Sequence, residues 1–211
     1  ITDLGGPSAN MYKMKGIDLK ICEKCTRPSC IFPRVCKNLN TDHSFLTSLY
    51  KKVTSLTFIK KLTIGSGIRY DLLADGSKSS KEYKRNLIEH HVSGRLKVAP
   101  EHTDEEILKI MRKPSFSLFK DFFNDFKILN KKFNLRQQLI PYFISGHPIS
   151  KDSHMNALAD EISRMNIRPE QVQDFTPTPM TLATVMYYSG INPYTGEKVF
   201  TEKKLKKKKQ Q

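Results

Sequence analysis

The sequence predicts an α/β fold of parallel strands, and three observations carry that reading. Short apolar runs alternate with segments of helical period along the chain. Each apolar run ends in Gly, Ser, Thr or Pro, residues that break a strand and open a loop. One cysteine-rich stretch, between the first apolar run and the first long helical segment, interrupts the alternation.

Five strands are expected, at residues 1–4, 61–64, 95–99, 138–144 and 171–175. They run respectively into Gly5-Gly6, Gly65-Ser66-Gly67, Pro100-Glu101-His102, Ser145-Gly146-His147 and Thr176-Pro177. The intervening segments predict helices over 42–56 and 80–91. A third is expected after Thr103-Asp-Glu-Glu106, which reads as a capping box ahead of Ile107, Leu108 and Met111. Residues 118–133 carry apolar side chains at a period near 3.6. Ser150 is expected to cap a last helix with Met155, Leu158, Ile162 and Met165 on one face. In open or closed parallel sheets, function collects at the carboxyl ends of the strands, and all five Gly/Ser/Thr/Pro segments fall there.

The cysteine-rich stretch holds Cys22, Cys25, Cys30 and Cys36, the chain's four cysteines, in a C-x2-C-x4-C-x5-C spacing. It contains Pro28 and Pro33 and has no long apolar face, so it reads as a loop that needs a ligand to hold its shape. Four thiolates this close suit one soft metal ion or an iron–sulfur cluster. The spacing leaves zinc and iron–sulfur open. No secretion signal is apparent, so the expected compartment is the cytoplasm, where thiols stay reduced and clustered cysteines favour metal over disulfides.

No run of apolar residues approaches the eighteen of a membrane span. The formal charge is +15, from 36 basic against 21 acidic residues. Much of it lies in the lysine-rich tail at 201–211, which is expected to be disordered. A basic balance suits a polyanion such as RNA, but scattered Lys is also ordinary solvated surface.

The strand ends in order resemble a known family. Leu4-Gly5-Gly6, Gly65-Ser-Gly-Ile-Arg69, Lys97-Val-Ala-Pro-Glu-His102, Tyr142-Phe-Ile-Ser-Gly-His-Pro148 and Asp174-Phe-Thr-Pro-Thr-Pro179 are similar to the later strands of a radical S-adenosylmethionine barrel. The wording is closest to the YgiQ-type subfamily, and the cysteine run resembles that subfamily's insert. The resemblance covers about residues 1–200. It implies a partial, TIM-like barrel of parallel strands with residues 17–41 as an insert within it.

The resemblance further implies a catalytic [4Fe–4S] cluster held by a C-x3-C-x2-C loop, with one iron open to S-adenosylmethionine, whose reductive cleavage starts hydrogen abstraction. This sequence has no C-x3-C-x2-C, and its cysteines follow the glycine-pair strand rather than precede it. The cluster ligands are therefore expected upstream of Ile1. The chain is expected to be the C-terminal part of a split, truncated or broken enzyme, silent on its own and completed by a missing N-terminal segment or split-gene partner. The substrate is open, with RNA conceivable by analogy. The alternative reading is a non-catalytic, metal-stabilised module that binds nucleic acid.

By the same resemblance, Gly5 and Gly6 would take the cofactor amino group on their backbone carbonyls, a role that suits residues without a Cβ. Ser66 and Arg69 follow the next strand, and Arg69 would bind the cofactor carboxylate. Glu101 would hold the ribose hydroxyls. Ser145 would lie against adenine, and Thr176 would offer a hydroxyl at the end of the last strand. Cys22, Cys25, Cys30 and Cys36 are the candidate metal ligands. His147 reads as a lone loop histidine, and Tyr187-Tyr188 as packing.

Overall fold

The computed structural model describes residues 1–4 and 8–203. The glycine pair Gly5-Gly6 and the tail from Lys204 onward lie outside the described residues. In chain order the elements are α1 (Leu19–Glu23), α2 (Ser44–Thr54), α3 (Lys78–Asn86), β1 (Arg95–Glu101), α4 (Glu105–Ile110), α5 (Phe116–Lys132), β2 (Gln138–Ser145), α6 (Asp152–Arg164), β3 (Gln171–Asp174) and α7 (Leu182–Ser189). Short tight turns of helix at Ala9–Met11 and Tyr70–Leu73, and a wider one at Leu87–His91, complete the set. The strands form one sheet in the order β1-β2-β3. β2 and β3 run parallel, with Tyr142 opposite Gln171 and Ser145 opposite Asp174. The α/β class and the parallel strands agree with expectation.

The chain divides into two compact units, one of Ile1–Ala99 with Ser117–Ile140, the other of Pro100–Phe116 with Pro141–Gln211. In the first, α2 turns Leu46 and Tyr50 inward, and α5 contributes Phe119, Phe122 and Phe126 at helical spacing, all buried. β1 alternates exposed and buried residues, with Leu96 and Val98 inside, as expected of a strand with one covered face. The expected strands at 1–4 and 61–64 are reduced to a single parallel bridge between Thr2 and Thr63. Asp3 N–H donates to Thr63 O at 2.8 Å and Thr63 N–H to Ile1 O at 2.9 Å. A second parallel bridge joins Ile68 to Val98. These runs are too short, and too soon broken by Gly65 and Gly67, to extend into ladders.

In the second unit Ile107, Leu108, Met155, Leu158, Ile162 and Met186 are buried from α4, α6 and α7. Two expected caps move. The α4 cap is Asp104, not Thr103: its Oδ1 accepts from the N–H groups of Glu106 and Ile107, each at 3.0 Å. A carboxylate one residue nearer the helix satisfies two orphan donors and complements the positive end of the helix. Ser150 does not cap α6. Its N–H donates to His147 O at 2.8 Å, closing a turn, and Lys151 takes the cap position.

Candidate functional site

Asp3, Asn10 and Asp71 hold the first unit's candidate residues. The Asp3 carboxylate accepts the N–H groups of Gly65 and Ser66 at 2.8 and 2.7 Å, fixing the loop after the Thr63 bridge. Burial pushes this carboxyl up, but the hydrogen bonds from Ser66 and Gly65 outweigh it and hold the group below the usual carboxylate range. Arg69 sits three residues on. Its guanidinium makes a two-pronged ion pair with Asp71, a buried carboxylate two residues away.

The Arg69 backbone is clamped by the fully buried Asn10, whose Oδ1 accepts Arg69 N–H at 2.7 Å and whose Nδ2 donates to Arg69 O at 2.8 Å. Asn10 Nδ2 also lies 3.5 Å from His43 Nε2, and His43 Nδ1 lies 3.4 Å from Ser80 Oγ. The His43 ring stacks on Tyr83 at 4.9 Å, and burial pushes its pKa down. Sequence reading missed this network. Asn10 and His43 are separated by the whole cysteine segment, and neither falls on a periodic face.

In the second unit three candidates stand at strand ends. Glu101 closes β1 with φ +68°, and His102 N–H donates back to Pro100 O at 2.9 Å. Such an i→i+2 turn with positive φ is rare and strained, and strain of this kind collects at functional sites. The Glu101 carboxylate, largely buried, accepts from Lys113 Nζ at 2.8 Å. The fully buried His102 accepts the N–H groups of Thr103 and Asp104 on Nδ1, each at 2.9 Å, so its proton sits on Nε2, which has no hydrogen-bond partner among the described residues. Burial pushes the His102 pKa down to about 4.

Ser145 ends β2, buried, with its hydroxyl donating to Asp174 Oδ1 and its carbonyl accepting Phe175 N–H at 2.8 Å. Thr176, exposed after β3, donates to Asp174 O at 3.3 Å. The structure thus ties Ser145 and Thr176 to one residue, Asp174, the last of β3, which the sequence reading placed in a strand and in the Asp174–Pro179 phrase but gave no role.

Asp174 and Thr176 open into a cavity of about 480 Å³. Its wall includes Met111, Ile144, Phe175 and Leu182, with Arg112, Lys113 and His147 among its polar groups. A concave site with an apolar wall and a few polar groups suits a small organic ligand. His147 donates from Nδ1 to Pro148 O at 2.8 Å, and burial pushes its pKa down to about 4. At neutral pH its Nε2 is therefore an acceptor. Tyr187 packs 5.8 Å from Phe175, as expected, whereas Tyr188, read the same way, is largely exposed.

Cys22, Cys25, Cys30 and Cys36 line a separate cavity of about 170 Å³ in the first unit. Among the described residues no three His, Cys, Asp or Glu side chains already stand in a metal-ligating arrangement. No described helix is long and apolar enough to cross a membrane.

Residues 170–211 match a family model described as a domain of unknown function, DUF3362. The chain is 58% identical, over 99% of its length, to a UPF0313 protein of Bacteroides thetaiotaomicron, of which it covers 34%. It is 51% identical over its full length to a UPF0313 protein of Porphyromonas gingivalis, again covering 34% of that protein. To a UPF0313 protein of Pseudomonas aeruginosa it is 46% identical over 92% of the chain, covering 25% of the relative. The chain is thus similar, over nearly all of its length, to a segment of the UPF0313, or YgiQ-like, proteins, and it spans about a third of the length of the first two of these relatives.

Proposed function

We propose that this chain forms later strands of a radical S-adenosylmethionine barrel and supplies part of the wall against which the cofactor binds. The observation that carries the reading is the strained Glu101 at the end of β1, its carboxylate largely buried, in the same unit as the strand-end cavity beside Asp174 and Thr176. High identity to YgiQ-like proteins along the whole chain supports it.

The donor set suits a nucleoside-like molecule. Met111, Ile144, Phe175 and Leu182 offer an apolar wall for a base, and Asp174 and Thr176 offer groups for hydroxyls; Glu101 does not line the cavity itself but ends β1 in the same unit, bonded to the lining residue Lys113. The Ser145–Asp174 hydrogen bond holds the ends of β2 and β3 in register, so backbone groups after Ser145 keep a fixed position. Lys113 orients Glu101. Arg69 belongs to the first unit, where Asp71 engages its guanidinium and Asn10 clamps its backbone. Bound S-adenosylmethionine would supply the reactive sulfonium. The catalytic cluster does not fit this chain, because its four cysteines all lie between Cys22 and Cys36 without the C-x3-C-x2-C spacing, and no step through that cluster is assigned to these residues.

The test compares the 211-residue chain with a full-length protein that carries this segment, both reconstituted anaerobically with iron and sulfide and reduced with dithionite. The full-length protein is expected to convert S-adenosylmethionine to 5′-deoxyadenosine, and the chain alone to form none above a protein-free control. Turnover by the chain alone, or none by the reconstituted full-length protein, would overturn the proposal.

A further inference from the structure

From Met11 to Asp42 no residue is buried. The one α-helix in that stretch, α1, has five residues and buries none, and Ile17, Leu19 and Ile21 are more than half exposed. Ordering so many residues costs of the order of 1–2 kcal/mol each in backbone entropy, and this segment has no fully buried apolar side chain to offset it, only half-buried ones such as Ile31, Phe32 and Leu39. It is nevertheless folded back on itself: Gly16 and Leu39 form an antiparallel bridge, and Ile17 N–H donates to Asn38 O at 2.7 Å.

The cysteines sit inside this folded-back segment as two pairs. Cys25 N–H donates to Cys22 O at 3.1 Å, and Cys36 N–H to Cys30 O at 2.7 Å, so a backbone hydrogen bond closes each pair. Both pairs face the cavity of about 170 Å³. Two sulfurs already accept hydrogen bonds: Cys25 Sγ from Arg27 N–H at 3.4 Å, and Cys22 Sγ from Asn38 Nδ2 at 3.3 Å. Donors aimed at sulfur fix where each sulfur stands, as groups around a metal ligand do. Asn38 also bonds both backbone groups of Asp18, the cap of α1, at 2.9 and 2.8 Å, and so holds Cys22 at a fixed point.

The Arg27 guanidinium donates to Phe32 O and Arg34 O, pinning the loop between the pairs. Gly16 leaves room for the site, since a Cβ built there would stand 2.3 Å from Cys22 Sγ. Charge agrees. Lys20, Lys24, Arg27, Arg34 and Lys37 surround the cysteines, with Glu23 the sole acidic residue between Leu19 and Lys37. A divalent ion with four thiolates carries a net charge of −2, which this basic setting neutralises.

We propose that Cys22, Cys25, Cys30 and Cys36 bind one zinc ion as a closed, four-thiolate structural site that holds residues 11–42 in shape. Two closed pairs facing one small cavity follow the logic of a structural tetrathiolate site, in which four protein ligands leave no open position. Binding draws the four sulfurs inward from the cavity walls and releases the thiol protons. The site does not depend on the barrel reading, because these are the only cysteines of the chain.

The test uses the 211-residue chain, expressed in medium containing both zinc and iron. Elemental analysis is expected to give about one zinc per chain, released by a thiol-blocking mercurial. Asn38→Ala keeps all four ligands and is expected to weaken zinc about 10- to 100-fold against a chromophoric chelator, the usual cost of losing a group that orients a ligand. Gly16→Ala is expected to weaken it as well, by driving Cys22 Sγ aside. Stripping the metal from wild-type protein is expected to speed proteolysis within residues 11–42, with cleavage elsewhere unchanged. A zinc-free chain with four freely reactive thiols, several irons with acid-labile sulfide in place of zinc, or zinc affinity unchanged in both variants would overturn the proposal.

Discussion

Met180→Gly is expected to stabilise the protein, although it removes a side chain. Thr181 N–H donates to Thr178 O at 3.3 Å, which closes a β-turn with Pro179 and Met180 at its centre. Met180 has φ +66°. Proline at the first central position and positive φ at the second make this a type II turn, whose second position favours glycine. A non-glycine residue in the left-handed region costs about 1–2 kcal/mol. The Met180 side chain is fully exposed, so truncation forfeits no packing.

The opposing term is the extra freedom glycine gives the unfolded chain, about 0.4–1 kcal/mol. The net gain is therefore of the order of 0.5–1 kcal/mol, or about 1–4 °C in the melting temperature of a chain this size. The turn itself survives, because Thr178 O also accepts the hydroxyls of Thr181 and Thr184 at 2.9 and 2.6 Å. Differential scanning calorimetry of wild type, Met180→Gly and Met180→Ala separates the terms. The alanine variant keeps the strained backbone and should melt like wild type. A glycine variant that melts at or below the alanine variant would refute the assignment of strain to this turn.

Asn10→Ala should lower the urea midpoint, since it strips partners from both backbone groups of Arg69 at a cost of about 1–3 kcal/mol; an unchanged midpoint would show the clamp to be dispensable. Stability should also fall in acid through His102 and His147. Both are held neutral to about pH 4 when folded, against an ordinary value of 6.5. Their contribution is complete above pH 6.5 and is lost as pH falls from there to about 4, because only the unfolded chain takes up protons in that window. Chemical melts of His102→Asn, whose Oδ1 can accept the same two N–H groups, should show a shallower loss over that range, and a slope matching wild type would remove His102 from the account.

The strand ends were legible because Gly, Ser, Thr and Pro punctuate apolar runs. Of the expected strands, those at 95–99, 138–144 and 171–175 form within a residue or two. The runs at 1–4 and 61–64 share the pattern but yield only a bridge, since runs this short, with Gly65 and Gly67 close behind, do not extend into a ladder. The α4 cap slipped from Thr103 to Asp104 because both residues can cap, and only local geometry chooses between them.

The Glu101 turn was invisible as strain: Pro-Glu-His contains no glycine to announce a positive φ. Ile149 hid in the same way. It sits at φ +73° after Pro148, in the turn that displaced the Ser150 cap. Arg69 was found, but its engagement by Asp71 was not, because i and i+2 residues meet only when the backbone between them turns, as it does at Tyr70–Leu73. The Asn10–His43–Ser80 network joins residues up to seventy positions apart and leaves no local trace.

The most direct measurement of the central claim is the affinity of a full-length protein carrying this segment for S-adenosylmethionine, by anaerobic calorimetry, with and without Glu101→Gln. The substitution keeps the size of the side chain and removes its charge. Loss of a charge-assisted hydrogen bond, about 1.5–3 kcal/mol, predicts a dissociation constant about 10- to 100-fold higher. Equal affinity in the two proteins, with the fold intact by circular dichroism, would contradict the placement of the cofactor at these strand ends.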